Sequence, residues 1–377
     1  MPPLTARTLI TSLGTIEYPS ITIDAAGRIE DISTDPAIRS EAILTSTFLD
    51  IHIHGAAGED LMVATPKGLS RIQRFLASRG TSHYLPTTVT ASIDATLHAL
   101  DALANLIESP IPANEATPLG IHLEGPFLSH AKRGVHPTDL LQPPSIELFD
   151  RFQQAARGHI RLLTIAPETP GALDLIAHAT HSGVKVTLGH TNATAAETLA
   201  AIAAGATSST HLFNAMRPLD HREPGVVGTI LDRPDIYADL ICDGIHVHPA
   251  LVRLWLAQKQ DKAILITDGI SATGMPDGTY VLGPLSVTVH DHRCTLTAAP
   301  ETLAGSVLTL DRAVANLQAF TGTDLATAVR CASANPAAML GLTESLTTMQ
   351  PGQPANFNLY TPTGQLQTTY IYGQPIL

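Results

Sequence analysis

An α/β fold, with eight parallel strands closed into a (β/α)8 barrel and a smaller β domain made from both ends of the chain, is predicted by three observations. Strand-like and helix-like segments alternate through eight units in the middle of the 377 residues. Both ends are β-like and carry no helical periodicity. Histidines and carboxylates cluster at the carboxyl ends of the strand-like runs, the edge on which such barrels carry their chemistry. An open doubly wound sheet is the alternative, but no G-x-G-x-x-G follows the first run, so that architecture would lack its phosphate loop.

At the amino end, Leu9-Ile10, Ile21-Thr22-Ile23 and Ile29-Glu30-Asp31-Ile32 are short strand-like pieces separated by turn residues such as Ala26-Gly27. Eight strand candidates follow at 48–54, 82–89, 120–125, 160–166, 184–190, 208–214, 238–243 and 263–268. Apolar residues at helical spacing follow most of them, at 69–78, 95–107, 146–156, 172–180, 195–203 and 249–258. A hairpin is expected over 280–297, then helices near 310–320 and 324–332, with Asn335-Pro336 preceding a short helix at 337–340. The carboxyl end returns to strand character at 355–360 and 367–371 around the turn Pro362-Thr363-Gly364. Chain ends often lie close together, so residues 1–47 and 345–377 are read as one small β domain and 48–344 as the barrel.

Composition narrows the function. Hydrophobic residues make up 44% and charged residues 15%, as in a compact enzyme-sized protein, and disorder is excluded. A net charge of −12 without a basic cluster argues against nucleic acid or an anionic membrane surface as partner, and favours a small molecule. The amino end lacks a signal-peptide stretch and no segment approaches the roughly 20 apolar residues of a membrane span, so a cytoplasmic protein is expected. Cys242, Cys294 and Cys331 are odd in number and widely spaced, and read as core residues rather than as disulfides or zinc ligands.

The site is read from the strand ends. His52-Ile53-His54 closes an apolar run, and a period of two puts both imidazoles on one face, a spacing that suits two ligands on one divalent ion. The pattern alone is weak: with 17 histidines, about one such pair arises by chance. Of the two others, His290-Asp291-His292 falls in a polar turn, while His246 and His248 follow Asp243-Gly244, with His248 placed in a loop beside Pro249. Glu124 ends a buried strand, where a carboxylate needs a cation. His122, two residues earlier, is either a partner of that carboxylate or barrel packing. His190 and His211 end neighbouring strands and, with Glu124, make a three-ligand set with room for water. Asp268 ends the eighth strand, beside the first in a closed barrel, where a carboxylate can move a proton to and from an activated water.

The segments FLDIHIHG, GIHLEGPF, KRGVHP, LGHTNA, THLFNAM, HREPGVVG, ICDGIHVHP, ITDG and LAGSVLTLD resemble the amidohydrolase superfamily and, within it, the sugar-phosphate deacetylase branch. The resemblance runs over nearly the whole chain. It implies a metal-bearing barrel with a small β-sandwich from both termini, and hydrolysis of the N-acetyl group of N-acetylglucosamine 6-phosphate to glucosamine 6-phosphate and acetate in amino-sugar catabolism. It further implies one or two divalent ions per subunit, foremost zinc. Glu124, His190 and His211 would hold the principal ion, His52 and His54 a second, and Asp268, beside both, would be acid/base and ligand. Val135, His136, Asn214, Ala215, Arg222, His246, Leu303, Ala304 and Gly305 would bind the sugar phosphate, His246 steadying the acetyl carbonyl oxygen. Arg222 would reach the neighbouring active site in a homodimer, its guanidinium being suited to a phosphate.

Two other readings stay open at this stage. One is an amidohydrolase with the same water activation and a different pocket, separated by whether Arg222 serves a phosphate. The other is a catalytically silent barrel, disfavoured because buried carboxylates and imidazoles converging on one mouth are costly to keep.

Overall fold

The computed structural model describes residues 2–342 and 346–376. Eight parallel strands form the barrel: β1 (Phe48–Ile53), β2 (Thr81–Thr88), β3 (Ile121–Glu124), β4 (Ile160–Ile165), β5 (Lys185–Leu188), β6 (Ser208–Ser209), β7 (Tyr237–Ile241) and β8 (Ala263–Ile266). Each pairs with the next from β1 to β8. The ring closes between β8 and β1 through the parallel bridge Ile53–Gly269, with the Asp268 amide donating to His52 O at 2.9 Å and the His54 amide to Gly269 O at 2.7 Å. The runs of β1, β4, β7 and β8 are largely apolar because they are covered on both faces; every residue of β1 and β8 is buried.

The covering helices start where the sequence supplies caps. Thr65, Ser92 and Ser145 accept N–H groups at the starts of Pro66–Ser78, Ile93–Glu108 and Ile146–Ala155, and Thr194 forms a capping box with Glu197 at the start of Ala195–Ala204. Ala172–His181, Pro249–Lys259 and Leu310–Thr321 follow β4, β7 and β8. The helix after β6, Gly225–Asp232, was not expected from the sequence: six of its eight residues are buried, so it shows no polar face to mark a period.

Three further differences bear on the site. The runs read as β5, β6 and β8 end early, at Leu188, Ser209 and Ile266, because His190, His211 and Asp268 have φ of 48°, 33° and 50°, which no strand ladder accommodates. The expected hairpin at 280–297 is a four-stranded antiparallel sheet, Gly278–Leu282, Leu285–His290, Arg293–Leu296 and Ala299–Leu303. Its last strand holds Pro300 at an edge, where a missing N–H is harmless and the strand signal is weak. The short helix expected at 337–340 begins at Ala334, with Asn335-Pro336 inside its first turn rather than before it.

Both chain ends meet in two antiparallel-rich sheets, one of Leu4–Thr5, Pro19–Ile23 and Ile29–Thr34, the other of six strands in which Phe357–Tyr360 pairs with Ile43–Ser46. Ile21 and Ile29 from the first and Leu9, Leu44 and Phe357 from the second share one apolar core, so the sheets form a sandwich. The expected domain border at 344/345 lies outside the described residues.

Candidate metal centre

Glu124 closes β3 with its carboxylate at the barrel mouth, and its two oxygens serve different histidine pairs. Oε1 lies 3.3 Å from His190 Nε2 and 3.2 Å from His211 Nε2; Oε2 lies 3.3 Å from His52 Nε2 and 3.2 Å from His54 Nε2. Within each pair the two Nε2 atoms approach to 3.1 Å (His190, His211) and 3.2 Å (His52, His54). Asp268 Oδ1 completes the second group, 3.2 Å from His54 Nε2 and 3.5 Å from His52 Nε2. The sequence-derived ligands are thus gathered at one point, in two overlapping triads that share Glu124.

The tautomers show what this cluster is for. His190 Nδ1–H donates to Lys132 O at 3.2 Å and His54 Nδ1–H to Thr87 O at 3.3 Å; a carbonyl can only accept, so each ring keeps its Nδ1 proton outward and turns Nε2 inward, where its lone pair can serve a cation. Lone pairs facing one another and a carboxylate need a positive charge between them. Bonds of about 2.0–2.1 Å to a tetrahedral ion set neighbouring donors roughly 3.3 Å apart, which matches the edges of the His190–His211–Glu124 triad. The donor set therefore fits a small divalent cation. The same point draws positive charge onto the rings: burial pushes His54 and His211 down, but hydrogen bonds with Asp268 and Glu124 for the first and with Glu124 for the second lift them to about 10 and about 9. Burial raises Glu124 and Asp268, and the surrounding imidazoles reverse this, holding Glu124 well below the carboxylate range and Asp268 at about 2.

Neighbouring groups hold the donors in place. The amide of His211, strained at φ 33°, donates to the buried carboxylate of Asp239. Asp50, buried beneath the cluster, accepts from Thr267 Oγ1 at 2.6 Å and from the His52 amide at 3.2 Å, tying β1 to the segment that leads from β8 to Asp268; burial lifts it to about 7. His122 is packing: its Nδ1–H donates to Ile51 O at 3.1 Å and its Nε2 pairs with Thr164 Oγ1 at 2.7 Å. Neither Asp50 nor Asp239 was singled out from the sequence. Asp50, two residues before His52 on the same face, carried the one available signal.

A cavity of about 310 Å³ opens over the cluster. Among the residues expected to bind substrate, Val135, His136, Asn214, Ala215, His246, Leu303 and Gly305 line it, with Glu301 and Thr302 beside them at the end of the antiparallel sheet. Ala304 is fully buried behind that wall, and Arg222 is exposed and outside the cavity of its own subunit. His290 ends a strand and His292 lies in the two-residue turn that follows it, away from the cluster.

His136 has a fixed proton. Its Nδ1 accepts from the Thr90 amide at 3.4 Å, and a backbone N–H can only donate; the Thr90 hydroxyl lies 2.7 Å from the same nitrogen. The ring proton is therefore on Nε2, which stands 3.9 Å from Glu124 Oε2. Burial first, then the nearby His190, keeps this imidazole well below its usual range and hence neutral. Gly125 makes the approach feasible, since at its φ of 75° a Cβ would collide with the Thr90 hydroxyl.

Comparison with known proteins agrees with this geometry. The amidohydrolase family model matches residues 43–376. The N-acetylgalactosamine-6-phosphate deacetylase of Escherichia coli O157:H7 is 36% identical over 98% of both chains. The N-acetylglucosamine-6-phosphate deacetylase of Bacillus subtilis (strain 168) is 37% identical over 87% of this chain and 83% of its own. Among solved structures, a mutant N-acetyl-D-glucosamine-6-phosphate deacetylase from Mycobacterium smegmatis in complex with N-acetyl-D-glucosamine-6-phosphate superposes with a TM-score of 0.93, at 33% identity over 100% of this chain and 99% of that one.

Proposed function

The chain belongs to the amidohydrolase family, and from that membership and the site's geometry we propose that it removes the acetyl group from N-acetylglucosamine 6-phosphate, giving glucosamine 6-phosphate and acetate in amino-sugar catabolism. The observation that carries this reading is the inward-facing set of Nε2 lone pairs around Glu124, beneath a cavity that fits a hexose-sized ligand.

Glu124, His190 and His211 would hold the principal ion, and His52, His54 and Asp268 a second; the imidazole and carboxylate set suits zinc. A divalent ion here supplies water of lowered pKa and draws charge from the amide oxygen. Asp268, ionised at neutral pH, accepts a proton from the attacking water and returns it to the sugar nitrogen as the C–N bond breaks. To His136 we assign the donor role at the acetyl oxygen that the sequence suggested for His246, because its Nε2–H is fixed and beside the cluster. Val135, Asn214, Ala215, Leu303, Ala304 and Gly305 shape the sugar subsite or back its wall. Arg222, free of its own cavity, would bind the phosphate of a neighbouring subunit in a homodimer. A dianionic sugar phosphate does not cross a bilayer unaided, which supports a cytoplasmic site of action, as do three buried, unpaired cysteines.

A second reading has one observation in its favour: the relative matched from end to end acts, by its name, on the C4 epimer, N-acetylgalactosamine 6-phosphate. Acetate release from both epimers, before and after chelation and with readdition of defined ions, tests both readings. We expect activity to vanish with the metal and return with zinc, with the glucosamine epimer preferred. Activity that survives complete metal removal defeats the mechanism, and a preference for the galactosamine epimer selects the second reading.

A further inference from the structure

Between His211 and the helix Gly225–Asp232 the chain leaves the barrel mouth and returns, and five residues of this excursion, 218–222, form an exposed arm. Both ends of the arm are tied to the segment after β5 that carries His190. On the outgoing side Thr191 and Met216 form a parallel bridge: the Thr191 amide donates to Ala215 O at 3.0 Å and the Arg217 amide to Thr191 O at 3.1 Å, while Arg217 Nε donates to Asn192 O at 2.8 Å. On the returning side a single atom makes the tie. Glu223 Oε1 accepts the Ala195 amide at 2.7 Å and the Gly225 amide at 3.1 Å, so one oxygen takes the first N–H of two helices, Ala195–Ala204 and Gly225–Asp232. The second helix has no side-chain cap of its own, because Pro224 stands at that place. Gly225, at φ 59°, allows the closure: a Cβ there would stand 3.1 Å from Arg217 Cδ and 3.4 Å from Ala193 O.

Resting on the sugar-phosphate reading above, we infer that Glu223 is a positioning residue: it fastens the returning end of the arm to the start of the helix after β5, so that Arg222 is presented in one orientation to the phosphate of a substrate bound in the neighbouring subunit. Three observations support this. Arg222 sits inside a turn that ends on the anchor, since Asp220 Oδ1 accepts the Arg222 amide at 2.9 Å and the Glu223 amide at 3.4 Å. Its guanidinium is exposed, and among the described residues no carboxylate pairs with it, so its charge is free for an outside anion. The arm also leans on its own helix: Leu219 is 56% exposed, yet its Cδ1 would lie 3.3 Å from a Cβ at Gly228. An arginine on a loose loop would lose chain freedom each time it closed on a phosphate, and an arm already fastened at both ends has little left to lose. The two backbone bonds, with Arg217 nearby, hold the Glu223 carboxyl below the usual range, so it is the ionised form that makes the tie.

A double-mutant cycle separates this role from a general one in the scaffold. Wild type, Glu223→Ala, Glu223→Gln, Arg222→Ala and the combination of Arg222→Ala with Glu223→Ala are compared on N-acetylglucosamine with and without the 6-phosphate, with metal content and thermal midpoint as controls. We expect Glu223→Ala to raise KM for the phosphorylated sugar about tenfold with kcat within about twofold, and to leave kcat/KM for the plain sugar unchanged. In the Arg222→Ala background the same substitution should cost nothing further. Glu223→Gln keeps an acceptor oxygen for both amides and should stay within about threefold of wild type. Equal losses on both sugars, or the full loss repeated in the Arg222→Ala background, would overturn the inference, because Glu223 would then act on the barrel rim and not through the arginine. Hydrogen exchange on the metal-loaded proteins gives a readout independent of turnover: the Ala195 and Gly225 amides should exchange at least about tenfold faster in Glu223→Ala than in wild type or Glu223→Gln. If wild type releases no acetate from either sugar, the functional reading fails by itself. Unchanged exchange at those two amides in Glu223→Ala sinks the anchor whether or not the protein turns over.

Discussion

The two histidine pairs flanking Glu124 reach the same function by different local structures. His52 and His54 sit on or directly after a fully buried strand, and their shared orientation follows the period of two along it, although its ladder with β2 shifts register at two places. His190 and His211 belong to different strands and leave them in left-handed backbone conformations that non-glycine residues rarely adopt. One pair is produced by local geometry, the other by tertiary constraint, with Asp239 holding the His211 amide and Lys132 O the His190 ring. Strain of this kind persists where the surroundings over-determine it, and here it turns two lone pairs toward the cavity.

Glu124 joins the two halves, so its loss should be the most damaging. Glu124→Gln keeps the volume and removes the negative charge that both histidine pairs face, leaving the imidazoles to hold a cation without it. We expect kcat to fall by roughly three orders of magnitude or more, with metal content reduced in parallel. A fully metal-loaded, active variant would show that the halves hold their ions independently of this carboxylate.

Replacing one ring in each half ranks them. His190 and His211 both line the cavity, whereas His52 is fully buried beneath it, so His211→Gln should cost more activity than His52→Gln. Metal analysis should show His211→Gln losing the ion that supports turnover, and His52→Gln retaining one ion and part of its activity. Equal losses would mean that the two halves operate as one unit and that their structural difference carries no functional weight.

A smaller effect comes from the donor beside the pairs. His136→Ala should lower kcat about a hundredfold, the scale of one lost donor to a developing oxyanion. Thr90→Val, which removes the hydroxyl and keeps the backbone N–H, should cost about tenfold, because the ring retains one of the two contacts that fix its tautomer. If the two substitutions cost the same, the hydroxyl rather than the backbone sets the proton's place.

What was legible beforehand follows the same division. The alternation of strands and helices and the period-two pairing of His52 with His54 are local properties, and the sequence displays them directly. Glu124, His190, His211 and Asp268 were recognisable as residue types at the ends of apolar runs, but the last three not as left-handed breaks, since nothing in a single strand's pattern records what its neighbour imposes. Thr90 and His136 are 46 residues apart and Asp239 and His211 are 28, so their pairing exists only in the closed barrel. The helix Gly225–Asp232 escaped for the opposite reason: burial on nearly all sides erased its amphipathic signature.

The smallest expected effect lies away from both halves and serves as their control. Asp324 caps the helix Leu325–Ala332, its Oδ1 accepting the Thr327 amide at 2.8 Å, and this bond holds its carboxyl below the usual range. Because the folded pKa is depressed, the contribution is complete above the unfolded carboxyl's pKa and fades as pH falls through the lower folded value. Asp324→Ala should therefore cost about 1 kcal/mol at neutral pH, lowering the thermal midpoint by no more than about 2–4 °C, and the gap between wild type and variant should close in acid. Turnover and metal content should not change, since the cap touches neither histidine pair. A loss of activity at unchanged stability would mean that this helix transmits to the barrel mouth, and the separation drawn between the site and its scaffold would have to be abandoned.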